Sequence, residues 1–413
     1  MSRRRPTARI GLALAGGGPL GAIYEIGALC ALEESLAGIR FNDCHSYVGV
    51  SAGGFIAAGL ANGMTPRELC ASFIENVGEA DDIFEPSVLI RPAWREFAQR
   101  LATLPALTAN AALRYAFTRR SLSGAVERLA RALPTGLFSN EEIDARLSRQ
   151  FAAPGRTNDF RRLKRKLVLV ATDLDSGESA PFGQPGFDHV PISKAVQASA
   201  ALPGLFPPVE IDGRFYVDGA LKKTLHASVL LDEGLDLLIC LNPLVPFDST
   251  QSKHHRVMGH ADERIPRLVD GGLPVVLSQT FRTLIHSRLE IGMKGYEHSH
   301  PKTTVVLFEP DHRDPEMFLA NTFSYSQRRA LAEHAYQQTR RLLRARRSAL
   351  GRQLAPHGVT IVDAVLDDGH RRLLGPSRPT RRNAGQAVRR LEEVLDELDQ
   401  TLSNWSDSAR QPR

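Results

Sequence analysis

Val48-Gly49-Val50-Ser51-Ala52-Gly53-Gly54 is the stretch around which the rest of the chain is organised. It contains the pattern G-x-S-x-G, with an apolar approach before it and small and apolar residues at 55–61 after it. This order predicts a strand, a sharp turn and a helix, which is the context of a nucleophile elbow. Gly49 and Gly53 remove the Cβ atoms that would clash in such a turn, so the hydroxyl of Ser51 should project from the fold. A plain Gly-Ser turn is the alternative interpretation.

The composition is that of an ordinary globular protein. The chain has 413 residues, of which 42% are hydrophobic and 24% are charged, which suits one large domain with an appendage. No apolar run is long enough to span a bilayer. The arginines at 3–5 before the apolar run at 10–15 resemble a signal peptide, but no convincing cleavage site follows. We therefore expect a cytoplasmic protein with reduced core thiols at Cys30, Cys44, Cys70 and Cys240.

The chain is basic, with a formal net charge of +6. This charge permits attraction to anionic lipid or nucleic acid. No nucleic-acid module signature accompanies it, so we expect no nucleic-acid partner. Arginines concentrate in the second half of a long helix predicted over residues 326–350. They indicate a solvated face of a terminal helix, and peripheral contact with an anionic membrane is the functional alternative.

A second glycine-rich turn follows the first predicted strand, residues 10–15. Gly16-Gly17-Gly18 precede a helix predicted over residues 22–36. Bare N–H groups at such a turn bind an anion, either a phosphate or a developing oxyanion. The dinucleotide fingerprint G-x-G-x-x-G also aligns here, with Gly21 as its last glycine, but no acidic residue ends a second strand about 20 residues on. The next strand leads to Ser51, which favours the oxyanion interpretation.

An acidic residue ends a later predicted strand. Residues 215–217 follow a hairpin turn at Asp212-Gly213 and lead into Asp218-Gly219-Ala220. An acid at a strand end is placed to meet a nucleophile from a neighbouring strand, and a turn or cap aspartate is the alternative. Further strands are predicted over 167–172, 237–241 and 303–308, and helices over 65–150 in several segments, 192–202 and 275–293.

These stretches together resemble the patatin-like phospholipase family. The resemblance rests on the glycine loop, the elbow, Asp218-Gly219-Ala220 and the interior stretches 171–178 and 198–209, and it covers about residues 9–240. It implies a three-layer α/β/α fold with a mostly parallel central sheet. It also implies a dyad without histidine, with Ser51 as nucleophile and Asp218 as base. The oxyanion hole would be formed by the backbone N–H groups of Gly16, Gly17 and Gly18, and no cofactor is implied.

The resemblance implies a serine acyl-ester hydrolase of the phospholipase A or lysophospholipase type, acting through an acyl-enzyme at Ser51. A depolymerase or esterase of stored polyester or neutral lipid is one alternative, and a weakly catalytic lipid-binding scaffold is another. A histidine base is the runner-up chemistry, with His226, His286 and His298 as candidates. Substrate preference stays open because Leu20 stands where the family often has Arg or Lys. Likewise Lys222, Lys223 and Thr224 stand where its members often carry asparagines.

Metal binding is not predicted. Two groups of candidate ligands lack a standard helical spacing, and Glu309 to His312 adds no further signal. The first group is His254, His255, His260, Asp262 and Glu263, and the second is Glu297, His298 and His300.

Four regions are predicted along the chain. Residues 1–8 form a disordered basic arm, 9–350 the hydrolase domain, 351–384 a linker with a short strand at 359–362, and 385–413 a C-terminal helical extension and tail. The amphipathic helix over 385–403 is expected to dock on the core or on a partner, including a second copy of the chain.

Overall fold

A computed structural model describes residues 8–77, 91–94, 96–105, 133–250, 267–320 and 325–375. The strands are β1 (Ile10–Leu14), β2 (Leu36–Ala37), β3 (Ser46–Gly49), β4 (Lys166–Asp173), β5 (Ser179–Phe182), β6 (Val209–Ile211), β7 (Arg214–Asp218), β8 (Leu237–Leu241), β9 (Thr304–Phe308) and β10 (Thr360–Ile361). The α-helices are α1 (Gly18–Ser35), α2 (Ala52–Ala61), α3 (Pro66–Cys70), α4 (Glu141–Phe151), α5 (Ile192–Ser199), α6 (Ser228–Leu231), α7 (Gly272–Ser299), α8 (Pro315–Leu319), α9 (Tyr325–Ala345), α10 (Arg347–Leu354) and α11 (Asp363–Asp367).

An eight-stranded, mostly parallel sheet forms the centre of the fold. Its order is β6-β7-β4-β3-β1-β8-β9, and β5 pairs with β4. The five strands from β4 to β9 in this order run parallel, whereas β5, β6 and β7 are added by antiparallel hairpins. The central strands read as continuous apolar runs because both of their faces are buried.

Both faces of the sheet are covered by apolar layers. On β1, Leu12 and Leu14 point into the larger core, which contains α1, α2 and α5. Ala13 and Ala15 point into the second core, which contains residues 225–235 and Leu289 of α7. This alternation along one strand gives the three layers, as the expected α/β/α fold requires.

The long helix α9 lies directly on α1. A Cβ atom added at Gly27 of α1 would lie 2.5 Å from the backbone oxygen of Ala332, so only glycine allows this close approach. The two helices thereby join the C-terminal part of the chain to the layer that covers β1 and β3. The predicted helix over 326–350 is observed as two helices, α9 and α10, which meet at Arg346.

The sequence located most of the core elements correctly. The predicted strands over 10–15, 167–172, 237–241 and 303–308 are confirmed within two residues, as is the hairpin turn at Asp212-Gly213. Asn140 is the cap residue of helix α4. The carboxylate of Glu142, in the first turn, faces the guanidinium groups of Arg91 and Arg146.

Residues 351–375 are packed on the core rather than forming the expected linker. Strand β10 pairs antiparallel with β2, and Leu354, Val359 and Leu366 are fully buried. The apolar residues of this segment are sparse, and much of its anchoring comes from side chains of α9, so no periodic signal marks it. Residues 1–7 of the predicted arm at 1–8 and the predicted helix at 385–403 lie outside the described residues, as does much of the segment 65–150. None of the helices in the described ranges is both long and apolar enough to cross a membrane.

Candidate active site

The predicted elbow is present between β3 and α2. Ser51 has φ 54° and ψ −124°, a positive φ that side chains rarely adopt. A Cβ atom at Gly49 would lie 2.6 Å from the backbone oxygen of Gly53. One at Gly53 would lie 2.4 Å from the backbone oxygen of Ala15. The two glycines are therefore required by the turn that holds Ser51 in this strained conformation.

The backbone of Ser51 is held by a serine that the sequence analysis did not single out. The N–H of Ser51 donates to Oγ of Ser199 at 2.9 Å. The hydroxyl of Ser199 in turn donates to the carbonyl of Val170 at 2.6 Å. Ser199 is fully buried at the end of α5. A lone buried hydroxyl on a helix of small residues carries no sequence signal for this role.

The predicted acid lies at the same level of the sheet as the elbow. In the register of β4, Leu169 is opposite Gly49 and Ala171 is opposite Asp218. The N–H of Asp218 donates to the carbonyl of Ala201 at 3.0 Å. Segment 199–201, at the end of α5, therefore holds both Ser51 and Asp218 by direct hydrogen bonds.

Burial sets the electrostatics of Asp218, whose side chain is only 3% exposed. Burial raises the pKa of Asp218 to about 6, although hydrogen bonds from the N–H of Ala220 and from Ser51 act to lower it. The bond from Ala220 to the carboxylate measures 2.8 Å. A carboxyl group with this pKa is ionised near neutral pH and still basic enough to accept a proton.

The glycine loop packs against the elbow and against the turn after Asp218. A Cβ atom added at Gly16 would lie 3.1 Å from the Cβ atoms of Ser51 and Ala220, and 3.7 Å from Oγ of Ser51. In the described part of the chain, no backbone hydrogen bond uses the N–H of Gly16 or Gly17. Gly18 has a positive φ of 58° and begins α1. The loop therefore places unpaired donors at a helix N-terminus beside the hydroxyl.

Comparison with protein families gives the assignment that this geometry suggests. The model of the family described as patatin-like phospholipase matches residues 12–231. This range runs from β1 to the end of α6 and includes every stretch described above. The chain belongs to the patatin-like phospholipase family.

Individual relatives share limited sequence identity with this chain or match only a short part of it. An uncharacterised NTE family protein of Mycobacterium tuberculosis is 36% identical over 75 residues, or 18% of this chain and 19% of that protein. A second one is 25% identical over 242 residues, or 59% of this chain and 31% of that protein. The matched part thus spans less than a third of these relatives' own length. Among solved structures, VipD from Legionella pneumophila matches at 18% identity with a TM-score of 0.36, covering 82% of this chain and 67% of VipD.

The turn after Asp218 in this patatin-like domain is packed tightly. A Cβ atom at Gly219 would lie 2.2 Å from the carbonyl oxygen of Val170, so Gly219 allows the chain to pass β4. Its own carbonyl accepts a hydrogen bond from Nε2 of His226 at 3.2 Å. His226 is 2% exposed, and burial lowers its pKa to about 4.

The predicted histidine alternatives are placed elsewhere. The side chain of His226 binds Gly219, His286 faces the carboxylates of Glu290 and Glu309, and His298 is exposed on α7. Within the described ranges, none of the three has a hydrogen bond to Ser51. The geometry therefore gives the histidine-base hypothesis no support.

Both departures from the family pattern have a structural explanation. Leu20, in the first turn of α1, is 7% exposed and belongs to the larger core, so its side chain is not presented to solvent. The Nζ of Lys222 binds the carboxylate of Glu178 at 2.6 Å and the carbonyl of Gly177 at 2.8 Å. Lys222 thus links the turn between β4 and β5 to the turn that follows Asp218 by hydrogen bonds.

The candidate metal ligands are rearranged relative to the sequence analysis. The group at 254–263 lies outside the described residues. His298 is exposed, and His300 pairs with Asp232 at 3.1 Å, so the second predicted group is not assembled. Instead, the ligand atoms of His286, Glu309 and His312 all lie within 4.8 Å of one another. No spacing in the sequence could reveal this group, because α7 and the loop after β9 bring it together.

Proposed function

We propose that this patatin-like domain is a serine acyl-ester hydrolase acting on lipids, with Ser51 as nucleophile and Asp218 as its base. The observation that carries the proposal is the convergence of three separate stretches on one point. The strained elbow and the turn after Asp218 both pack against Gly16, beside the unpaired N–H groups of the glycine loop, and the buried carboxyl group of Asp218 interacts with the hydroxyl of Ser51. A nucleophile, a base and an oxyanion site are the parts that acyl transfer needs.

The mechanism follows from these positions. As Oγ of Ser51 attacks the ester carbonyl carbon, the carboxylate of Asp218 accepts the hydroxyl proton. The N–H groups of Gly16, Gly17 and Gly18 stabilise the oxyanion, each such donor contributing about 3–4 kcal/mol. Collapse of the tetrahedral intermediate breaks the ester C–O bond, and the leaving alcohol takes the proton from Asp218. Water then attacks the acyl-enzyme, with Asp218 as base again, and releases the carboxylic acid and Ser51.

The lipid substrate class is supported by family membership and by an exposed apolar surface near the site. Five residues on one side of α7 form what we name the α7 stripe. They are Leu273, Leu277, Phe281, Leu284 and Ile291, which are 44–70% exposed. The helix is joined to the turn after Asp218, because Arg288 donates to the carbonyl of Leu221 at 2.5 Å and Thr224 donates to that of Ile285 at 2.9 Å. We propose that the α7 stripe contacts the lipid surface.

In this proposal the membrane contact is made by the α7 stripe and not by the arginine-rich helices α9 and α10. Arg340 and Arg344 donate to carbonyl groups of residues 365–371, and Arg347 pairs with Asp363 and Asp367. These three arginines hold the chain's own C-terminal segment. Their guanidinium groups are therefore already paired with groups of the protein itself.

The decisive experiment measures hydrolysis of p-nitrophenyl acyl esters across chain lengths. We expect Ser51→Ala and Asp218→Asn to lower kcat by about 10³-fold or more without lowering the melting temperature. Ser176→Ala and Asp175→Asn, on the exposed turn after β4, are matched controls that should retain activity.

Other outcomes would change the assignment. Full activity in Ser51→Ala would exclude it as nucleophile, and full activity in Asp218→Asn would favour a histidine base. A folded wild type that hydrolyses neither esters nor phospholipid vesicles would favour the lipid-binding scaffold. Activity on polyester granules but not on phospholipid vesicles would favour the depolymerase.

Vesicle flotation tests the α7 stripe separately. Leu284→Asp and Ile291→Asp should weaken binding to phosphatidylcholine vesicles while leaving hydrolysis of a water-soluble short-chain ester unchanged. Leu174→Asp, at an exposed leucine on another turn, is the control. Unchanged vesicle binding, or a wild type that dimerises through this face and leaves vesicles unbound, would contradict the proposal.

A further inference from the structure

A compact group of ligand-type side chains lies outside the elbow, the glycine loop and Asp218. His286 is on α7, and Glu309 and His312 follow β9. Their ligand atoms lie within 4.8 Å of one another. The two imidazole rings meet edge to face, with their centroids 4.8 Å apart. Two histidines and one carboxylate form a donor set suited to a divalent transition metal.

The nitrogen at the centre of this group has only a long contact. Nδ1 of His286 is buried, and it lies 3.5 Å from Oε1 of Glu309 without a well-formed hydrogen bond. The His286 side chain as a whole is 12% exposed. A buried nitrogen held by so long a contact is poorly satisfied, and a metal ion between the three side chains would bind it directly.

Neighbouring polar groups have the arrangement of a supporting outer shell. The other ring nitrogen of His286, Nε2, faces the carboxylate of Glu290 at 3.6 Å. Oε1 of Glu309 accepts a hydrogen bond from Asn242 at 2.7 Å. Metal-binding histidines commonly direct their second nitrogen to a carboxylate, and metal-binding carboxylates are themselves hydrogen-bonded. His286 and Glu309 therefore each have the outer-shell partner that a metal ligand of their type commonly has.

We propose that His286, Glu309 and His312 bind one divalent transition-metal ion of the Zn²⁺ class. The ion would be held by Nδ1 of His286, the carboxylate of Glu309 and one ring nitrogen of His312. Ligand atoms about 2 Å from Zn²⁺ are about 3.3 Å apart in tetrahedral geometry, so the group closes around the ion by small side-chain rotations.

The position of the site gives the ion a structural role. It would join α7 to the loop that follows β9. The carbonyl of Ile285, next to His286, already accepts a hydrogen bond from Thr224 in the turn after Asp218. A bound ion therefore fixes α7 at the place where this helix contacts that turn, and it should raise the melting temperature.

The test uses the full-length, untagged protein stripped with a chelator and then titrated with Zn²⁺ against a chromogenic chelator. We expect one tight site in the wild type, and loss of that site in His286→Ala and His312→Ala. Glu290→Gln should weaken binding about 10- to 100-fold, as loss of an outer-shell partner does. His298→Ala, an exposed histidine on the same helix, should bind like the wild type.

Two further readouts make the outcome decisive. Co²⁺ in the site should give visible d–d bands in the wild type and in His298→Ala, and these should disappear in His286→Ala. Zn²⁺ should raise the melting temperature of the same two proteins and leave that of His286→Ala unchanged. Glu290→Gln changes an exposed carboxylate, so it reports on the site even if the histidine variants fail to fold. Tight Zn²⁺ binding that survives in both His286→Ala and His312→Ala, or its absence from the folded wild type, would overturn the proposal.

Discussion

The two parts of this chain hold their functional groups in place by different means. From β1 to β7, the candidate site is positioned by backbone geometry: a Cβ at Gly16, Gly53 or Gly219 would meet a neighbour at 2.2–3.1 Å. From α7 to residue 375, long side chains instead form hydrogen bonds with segments that are distant in sequence. Arg340 is fully buried and donates to carbonyls of three residues between 365 and 368.

This difference decides what each part can tolerate. A site built on close backbone contacts needs glycine at fixed spacings, and the chemistry depends on a few short side chains. A region anchored by buried cations needs those cations for stability but not for chemistry. Variants in the two regions should therefore separate loss of activity from loss of stability.

Arg340→Ala should give the largest loss of stability without a loss of activity. Its removal leaves the carbonyls of Val365 and Asp368 without their guanidinium donor, and each buried unpaired group costs about 1–3 kcal/mol. We expect the free energy of unfolding to fall by about 3 kcal/mol, measured by urea denaturation, with kcat per folded molecule unchanged. Arg347→Ala is the control, because its pairs are exposed and should contribute less than about 1 kcal/mol. Equal effects of the two variants would contradict this account of the C-terminal region.

A smaller effect, on kcat, is expected for Ser199→Ala. Its hydroxyl accepts the N–H of the strained Ser51, so its loss should misplace the nucleophile and lower kcat about 10- to 100-fold with little change in KM. Ser193→Ala is the matched control on α5. That serine is also fully buried, and it bonds to Asp144 and Asn158 instead. Both variants should lose similar stability, and a similar kcat in both would show that Ser199 only packs.

The same contrast explains what could be predicted from the sequence. The elbow, the glycine loop and Asp218 were each identified because backbone sterics demand particular residues at short spacings. The proximity of the glycine loop to the elbow follows from the parallel pairing of β1 and β3, whereas Asp218 ends the antiparallel strand β7. Ser199 was missed as a positioning residue because its partners, Ser51 and Val170, are 148 and 29 residues away.

The C-terminal part could not be predicted in the same way. The sequence predicts that Arg340 lies on an exposed helix face, either solvated or in contact with lipid, since a helical repeat of arginines gives no sign that some are buried against carbonyls. The prediction of a linker over residues 351–384 rests on a segment with few apolar positions, and residues 351–375 are nevertheless packed on the core. The group of His286, Glu309 and His312 depends on the packing of α7 against the end of β9, which no local pattern encodes.

Ionisation of Asp218 should also affect stability in a direction opposite to its effect on activity. Burial raises the pKa of this carboxyl group in the folded state to about 6. Stability from the neutral form is therefore fully present below the unfolded pKa and is lost as the pH rises through about 6. The charge that would make Asp218 a base is thus carried at a cost to the fold, as is common at active sites.

The smallest effect, the pH dependence of kcat/KM, distinguishes the candidate bases. If Asp218 is the base, kcat/KM should fall about tenfold for each pH unit below about 6, as the carboxylate becomes protonated. If His226 were the base, the fall would begin only near its pKa of about 4. If His286 were the base, it would begin above the ordinary histidine range, because Glu309 raises the pKa of His286. A profile of short-chain ester hydrolysis from pH 4 to pH 8, repeated with His226→Gln, separates the three outcomes, and only an inflection near 6 that persists in His226→Gln agrees with the proposed dyad.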